Sequence, residues 1–246
     1  RIKLKAMETW DRDGRSWWWG FISDIKPYYD KVLISSNGNG LFIIDNGEQK
    51  HYTSDVDGGN IVSEIKVIDD RIFLATGGGV FEFDIDKEKF IKTSISLPVG
   101  GFSNDDGNKF YISTNDKVFL YDFKNDRYED IKISINKNDR SFRKITFYNE
   151  KLWILNESYG IVVHDLRNKS SIQLSPPAIK DTEHFSMTLD RDNAIWIGTS
   201  SYGMMKYDPG KQKFKLYSKD FPSSNPLGYD VGWGATIDKN GNYWTG

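Results

Sequence analysis

Short apolar runs separated by small polar turns dominate the chain, and one arrangement of them recurs. An apolar run, a turn and a second apolar run ending in Asp reads VLISSNGNGLFIID at 32–45, IFLATGGGVFEFD at 72–84 and FYISTNDKVFLYD at 110–122. It returns as LWILNESYGIVVHD at 152–165 and IWIGTSSYGMMKYD at 195–208. The second position of the first run is Leu33, Phe73, Tyr111, Trp153 and Trp196, so the successive spacings are 40, 38, 42 and 43 residues. A fixed period of this length marks tandem supersecondary units. Upstream, Ser23-Asp24-Ile25-Lys26 matches Ser63-Glu64-Ile65-Lys66, and downstream comes a segment of alternating polarity such as Lys213-Phe214-Lys215-Leu216-Tyr217. Each repeat therefore predicts four short β-strands, A to D. In the fifth repeat these are A over 185–190, B over 195–199, C over 204–207 and D over 213–217.

The polarity of the strands selects the architecture. Strands B and C are almost continuously apolar, as in Leu152-Trp153-Ile154-Leu155 and Ile161-Val162-Val163, which predicts burial on both faces. Strand D alternates, as a strand half in water does. Turn signals such as Asn37-Gly38, Gly77-Gly78-Gly79 and Asp208-Pro209-Gly210 recur between the runs and exclude a helical bundle. A four-stranded unit of about 40 residues with a buried middle fits one blade of an all-β propeller. The expected organisation is one propeller domain over residues 1–246, with whole repeats near 21–55, 56–96, 97–134, 135–175 and 176–218. Partial blades at 1–20 and 219–246 supply strands C and D at one end and strands A and B at the other. Their pairing would close a ring of about six blades and remove two open sheet edges. The alternative is an excerpt of a larger, seven-bladed ring.

Composition narrows the class. Only 38% of the 246 residues are hydrophobic, but 15% are aromatic, and large rings compensate by burying more surface each. The net charge of −2 and the lack of any block of like charge leave no footprint for nucleic acid. The longest apolar run, 17–22, is six residues, far short of the roughly 20 that cross a bilayer as a helix, so no membrane insertion by this segment is expected. There is no cysteine, which excludes disulfides and thiolate metal sites. The chain opens at Arg1 without a signal peptide, as an excerpt or a processed form would.

Residues 195–246 carry a family likeness. IWIGTSSYGMMKYDPGKQKFKLYS at 195–218, FPSSNPLG at 221–228 and DKNGNYWTG at 238–246 resemble the two-component regulator propeller repeat. That repeat is recognised by a Trp-Ile-Gly-Thr strand, a Gly-led second strand ending in Asp, and an Asp-x-x-Gly turn before the next Trp. Trp196-Ile197-Gly198-Thr199, Gly203, Asp208, Asp238 and Gly241 fall on those positions. The first four repeats keep the frame and change the letters. The resemblance implies a periplasmic or cell-surface sensor domain, joined to neighbouring domains of a longer chain and responding to glycan fragments. The other implied role is a scaffold or protein-interaction propeller of a cell-surface or secretion-associated protein.

The residues themselves point to recognition without catalysis. Trp153, Trp196 and Trp244 occupy one repeat position and read as wedges between blades. Asp84, Asp122, Asp165 and Asp208 all end strand C and read as Asx-turn formers. The three histidines, His51, His164 and His184, sit at unlike repeat positions, so no metal or catalytic cluster and no cofactor is expected. Asn104-Asp105-Asp106-Gly107-Asn108 begins like a calcium loop but lacks the closing Glu. In a propeller the B–C and D–A loops share one face. That face would carry Asn37, Asn39, Tyr159 and Tyr202 from B–C loops, and Asn138, Arg140, Tyr229 and Trp233 from D–A loops and the start of the last A strand. Aromatic rings with Asn and Arg suit an oligosaccharide, through stacking and bidentate hydrogen bonds. The same composition suits a protein partner. Trp17-Trp18-Trp19 on an outer strand cannot all point inward, so at least one should face solvent or another domain.

Overall fold

A computed structural model describes residues 22–104, 109–135, 142–156, 160–174, 184–190, 192–200, 202–218, 235–237 and 243–245. Among the described residues every named element is a strand, and five four-stranded antiparallel sheets follow one another along the chain. In each the spatial order is the order in sequence, which fits a propeller-like fold. Residues 1–20, with the expected partial blade and Trp17-Trp18-Trp19, lie outside the described residues.

Two compact units divide the chain. The first comprises Arg1–Phe102 and Tyr121–Tyr128, the second Ser103–Leu120 and Glu129–Gly246. The first sheet is β1 (Ile22–Tyr28), β2 (Lys31–Ser36), β3 (Gly40–Asp45) and β4 (Glu48–Tyr52). The second is β5 (Val62–Ile68), β6 (Arg71–Thr76), β7 (Gly79–Asp84) and β8 (Lys89–Lys92). Both lie in the first unit. The third, β9 (Val99–Asn104), β10 (Lys109–Thr114), β11 (Val118–Asp122) and β12 (Arg127–Ile131), supplies residues to each unit. The second unit holds the fourth sheet, β13 (Phe142–Tyr148), β14 (Lys151–Asn156), β15 (Gly160–Asp165) and β16 (Ser170–Leu174). It also holds the fifth, β17 (His184–Leu189), β18 (Ile195–Thr199), β19 (Met204–Asp208) and β20 (Lys213–Tyr217). A two-stranded pair, β21 (Ala235–Ile237) and β22 (Tyr243–Thr245), follows, with Thr236 opposite Trp244.

Turn chemistry explains the short strands. Asp69 and Asp70 join β5 to β6 with φ of 48° and 60°, and Asn149 with Glu150 does the same between β13 and β14 at 51° and 56°. Two positive φ values in a two-residue loop suit the right-handed twist of a hairpin. At the C–D turns of the second to fifth sheets, on the same strand end, the Asp closing the third strand holds the loop. Asp122 Oδ1 accepts from the amides of Lys124 and Asn125, Asp165 Oδ1 from Arg167 and Asn168, and Asp208 Oδ1 from Gly210 and Lys211. Asp84 accepts from the Lys87 amide in the same way. These are Asx-type turns.

Packing within each unit accounts for the apolar runs. In the first unit Leu33, Leu41 and Ile43 of the first sheet bury against Val62, Ile65, Leu74 and Phe81 of the second. In the second unit the fourth sheet is buried on both sides. Leu152, Ile154 and Val162 join a core with Tyr111 and Val118, while Trp153, Leu155, Ile161 and Val163 join one with Ile195, Ile197, Met205 and Tyr207. Neighbouring residues point to opposite faces, so a strand with a core on each side needs apolar residues at every position. Strand D positions such as Glu48, Lys50 and His51 remain exposed.

First strands carry the contacts between consecutive sheets of the first unit. Ser23 Oγ donates to the Val62 carbonyl, and Asp24 Oδ2 accepts the Ile65 amide at 3.0 Å. One repeat on, Ser63 Oγ donates to the Val99 carbonyl at 3.1 Å and Glu64 Oε2 accepts the Phe102 amide at 3.3 Å. The matching Ser-acid pairs of the sequence repeat are thus a ladder that ties one sheet to the next. Both pairs sit at a break in register, between Ile22 and Asp24 and between Val62 and Glu64, where a bulge turns a side chain out of the pleat.

Candidate functional site

The B–C loops, expected to form the binding face, are built on a repeated clamp. In three sheets a Thr ends strand B, its hydroxyl donates to the carbonyl across the loop, and an amide of the loop donates back. Thr76 bonds to the Gly79 carbonyl at 2.9 Å and the Gly78 amide, Thr114 to the carbonyl and amide of Lys117, and Thr199 to the Gly203 carbonyl at 3.0 Å and the Tyr202 amide. The Gly that leads strand C has positive φ in four sheets, at Gly40, Gly79, Gly160 and Gly203. At Gly79 a Cβ would lie 2.1 Å from the Ile95 carbonyl oxygen, so only glycine lets the following linker cross there.

The structure places three of the expected ligand residues. Asn37 forms an antiparallel bridge with Ile61. Asn39 is 7% exposed; its amide lies 3.5 Å from Ser36 Oγ and its carbonyl accepts from His51 Nε2 at 2.6 Å. Asn37 and Asn39 thus share one loop of the first unit, each engaged by its own scaffold. Tyr202, in the second unit, is 41% exposed on the loop after β18. Tyr159, Asn138, Arg140, Tyr229 and Trp233 lie outside the described residues, as do Asp238 and Gly241.

Residues given structural roles have specific partners. Trp153 and Trp196 are each 5% exposed, and Trp153 packs its ring 5.9 Å from that of Tyr207. Trp196 Nε1 donates to Asp190 Oδ2 at 2.8 Å, and Asp190 Oδ1 accepts the amides of Asp192 and Ala194. Lys206 Nζ lies 3.1 Å from the same carboxylate and 4.9 Å from the Trp196 ring centre. Strand A of this sheet ends at Leu189, one residue before the sequence expectation, because Asp190 turns its carboxylate back onto the hairpin. Asn193, three residues on, takes φ of 63°, the place that Gly holds in an Asp-x-x-Gly turn. Gly198 pairs with Ser186 and Met204 inside the sheet.

Two histidines are occupied within their sheets. His51 stacks on Phe42 with ring centres 4.3 Å apart. His164 is buried and lies 2.9 Å from Ser171 Oγ, and burial holds its pKa below the ordinary value against the pull of Asp165. Among the described residues no group of His, Asp and Glu has the arrangement to hold a metal ion.

The first unit also has a cleft of about 330 Å³ at the opposite strand ends, which the sequence reading did not single out. It lies among the A–B turn of the first sheet, strand D of that sheet and the C–D turn of the second. Tyr28, Tyr29 and Tyr52 give it aromatic walls. Tyr28 donates to the Asp70 carbonyl at 2.9 Å, Tyr29 to Asp70 Oδ1, and Tyr52 to Glu88 Oε1 at 2.8 Å. One signal was present in the sequence. Tyr29 stands where the matching turns have Asp69 and Asn149, a left-handed position that favours Asn and Asp.

No family model matches the chain, and no curated protein matches it. Solved structures do. The extracellular domain of a hybrid two-component system from B. thetaiotaomicron superposes with a TM-score of 0.70 over 94% of this chain at 13% identity. A second such domain from that organism gives 0.60 over 92% at 16% identity. PorZ, a surface component of the type-IX secretion system of Porphyromonas gingivalis, gives 0.61 over 87% at 13% identity. The chain spans only 37%, 38% and 28% of those three chains. At such identities the likeness is one of fold.

Proposed function

We propose that this chain is the ligand-recognition part of an extracytoplasmic sensor, in the periplasm or at the cell surface, whose longer chain belongs to a two-component system. The observation that carries this reading is the likeness over 94% of the chain to the extracellular domain of a hybrid two-component system. The Trp-Ile-Gly-Thr strand at 196–199 and the Asp-capped turn before it support the same reading from the sequence side. Among the described residues no helix is long and apolar enough to cross a membrane, so any anchor of that kind would come from elsewhere. The finer architecture belongs to the proposal: about six four-stranded blades of one propeller, supported by the repeat period near 40 residues.

The proposed ligand is a glycan fragment, bound and not turned over. Tyr202 would stack on it, and Tyr159, Arg140, Tyr229 and Trp233 would complete the surface. A catalytic centre needs groups of different type within reach of one atom, whereas His51 and His164 are engaged in separate sheets. Titration of the purified chain with oligosaccharides should change tryptophan fluorescence, and Trp233→Ala should weaken binding at least about tenfold while sparing the thermal midpoint. Binding unaffected by Trp233→Ala would remove that surface from the account. Glycan cleavage lost in His184→Ala would replace recognition with catalysis. The likeness to PorZ favours a second reading, a non-catalytic scaffold at the cell surface, which predicts no response to any oligosaccharide.

A further inference from the structure

Tyr29 is an anomaly at the residue level. It holds φ of 52° in the turn between β1 and β2, and its side chain is 73% exposed. The left-handed region is disfavoured for a bulky residue, and such outliers persist where the surroundings hold them and cluster at ligand sites. Here the hold is visible. The Tyr29 hydroxyl donates to Asp70 Oδ1 of the next sheet, and the ring meets that of Tyr28 edge-on at 5.0 Å. The aromatic surface is therefore fixed at the mouth of the cleft, with its rotamer chosen before any ligand arrives.

The charges around it are unbalanced. Asp30, Asp45, Asp86 and Glu88 line the cleft against Lys31 and Lys50, which leaves it two charges negative. Both lysines are already committed. Lys31 Nζ lies 3.1 Å from Asp30 and 2.9 Å from Asp45, and Lys50 Nζ lies 2.7 Å from Glu88. Lys50 and Tyr52 together hold the Glu88 carboxyl below its usual range, so it stays ionised. No ion pair is formed by Asp86 among the described residues, and it lies close enough, with Asp70, to add to burial in raising the Tyr28 hydroxyl. An anion entering this space meets surplus carboxylate and no available ammonium.

We propose that the cleft bounded by Tyr28, Tyr29, Tyr52 and Asp86 is a second binding site, which takes a small organic cation such as a primary amine. Asp86 supplies the counter-charge, and the tyrosine rings supply faces that attract cations within about 6 Å of their centres. The volume of about 330 Å³ lies within the range of small-molecule sites, roughly 300–1,000 Å³. It stands at the strand ends opposite the Asn37 loop and owes nothing to the glycan reading, so either can fail alone.

The test uses three probes of one carbon skeleton: n-butylammonium, n-butanol and n-butyrate. Amide chemical shifts of residues 28–31 and 85–88 are followed in the whole chain as each is added. Butylammonium should give saturable shifts, butanol weaker ones and butyrate none. Asp86→Asn, on an exposed turn, should weaken butylammonium binding roughly fivefold, the scale of one exposed charge at contact distance. Tyr29→Asn places a residue suited to the turn, so it should fold at least as well while losing the response. Saturable binding of butyrate or butanol as tight as that of butylammonium overturns the proposal. So does an absence of any saturable shift, or a Tyr29→Asn variant that binds as the parent does.

Discussion

At the residue scale, two tryptophans of one repeat position live in different chemistry. Both are buried, but Trp196 Nε1 donates to the Asp190 carboxylate, whereas Trp153 Nε1 is buried with no hydrogen-bond partner among the described residues. The difference lies in the preceding hairpin. Before Trp196 the turn is long enough to include Asp190, and before Trp153 it is the two-residue Asn149-Glu150. A buried group that loses its partner costs about 1–3 kcal/mol, while removing an unpartnered one costs little beyond packing. Trp→Phe removes the same atoms at both places. Trp196→Phe should therefore destabilise by at least about 1 kcal/mol more than Trp153→Phe in denaturant unfolding. Equal losses would mean that the Asp190 bond contributes nothing. The sequence displayed the Trp repeat but not this distinction, because the spacing from Asp190 to Trp196 acquires meaning only once the carboxylate is seen to cap its own hairpin.

At the element scale, the four-strand unit was legible because burial on two faces removes polar residues from strands B and C. The fourth sheet demonstrates it, with Ile154 facing one core and Trp153 the other. Less legible was the purpose of the Ser-acid pair in strand A. It looked like a marker of the repeat and is a joint between sheets, placed by a bulge that no hydrophobic pattern announces. Asp24→Ala should strip the Ile65 amide of its carboxylate partner. Hydrogen exchange at Ile65 should then accelerate by about tenfold or more, the equivalent of roughly 1–3 kcal/mol for an unsatisfied buried donor. Phe102, bonded to Glu64 at 3.3 Å, serves as the internal control and should keep its protection. An unchanged Ile65 rate would show that the joint is held by packing alone.

At the scale of the whole molecule, repetition explains both what could be read and what could not. A repeat distributes like residues to like places, so the strand frame, the Asp-capped turns and the Thr clamps all follow from a few letters recurring near every 40 residues. The proposed recognition surface stands where the repeat breaks, and breaks carry no periodic signal. Tyr202 was visible as an aromatic in a loop, and it is exposed. Asn39 was visible too, but burial and its bond to His51 depend on neighbours that composition does not reveal. Tyr29 was not legible, because its aromatic ring replaces Asp69 and Asn149 of the matching turns and only the structure shows its positive φ. If the chain recognises a glycan fragment without turning it over, calorimetric titration with a panel of oligosaccharides should give, for at least one member, a saturable heat that ends with each injection. A heat that continues after mixing, as bonds are cleaved, or no saturable heat from any oligosaccharide, would contradict that reading.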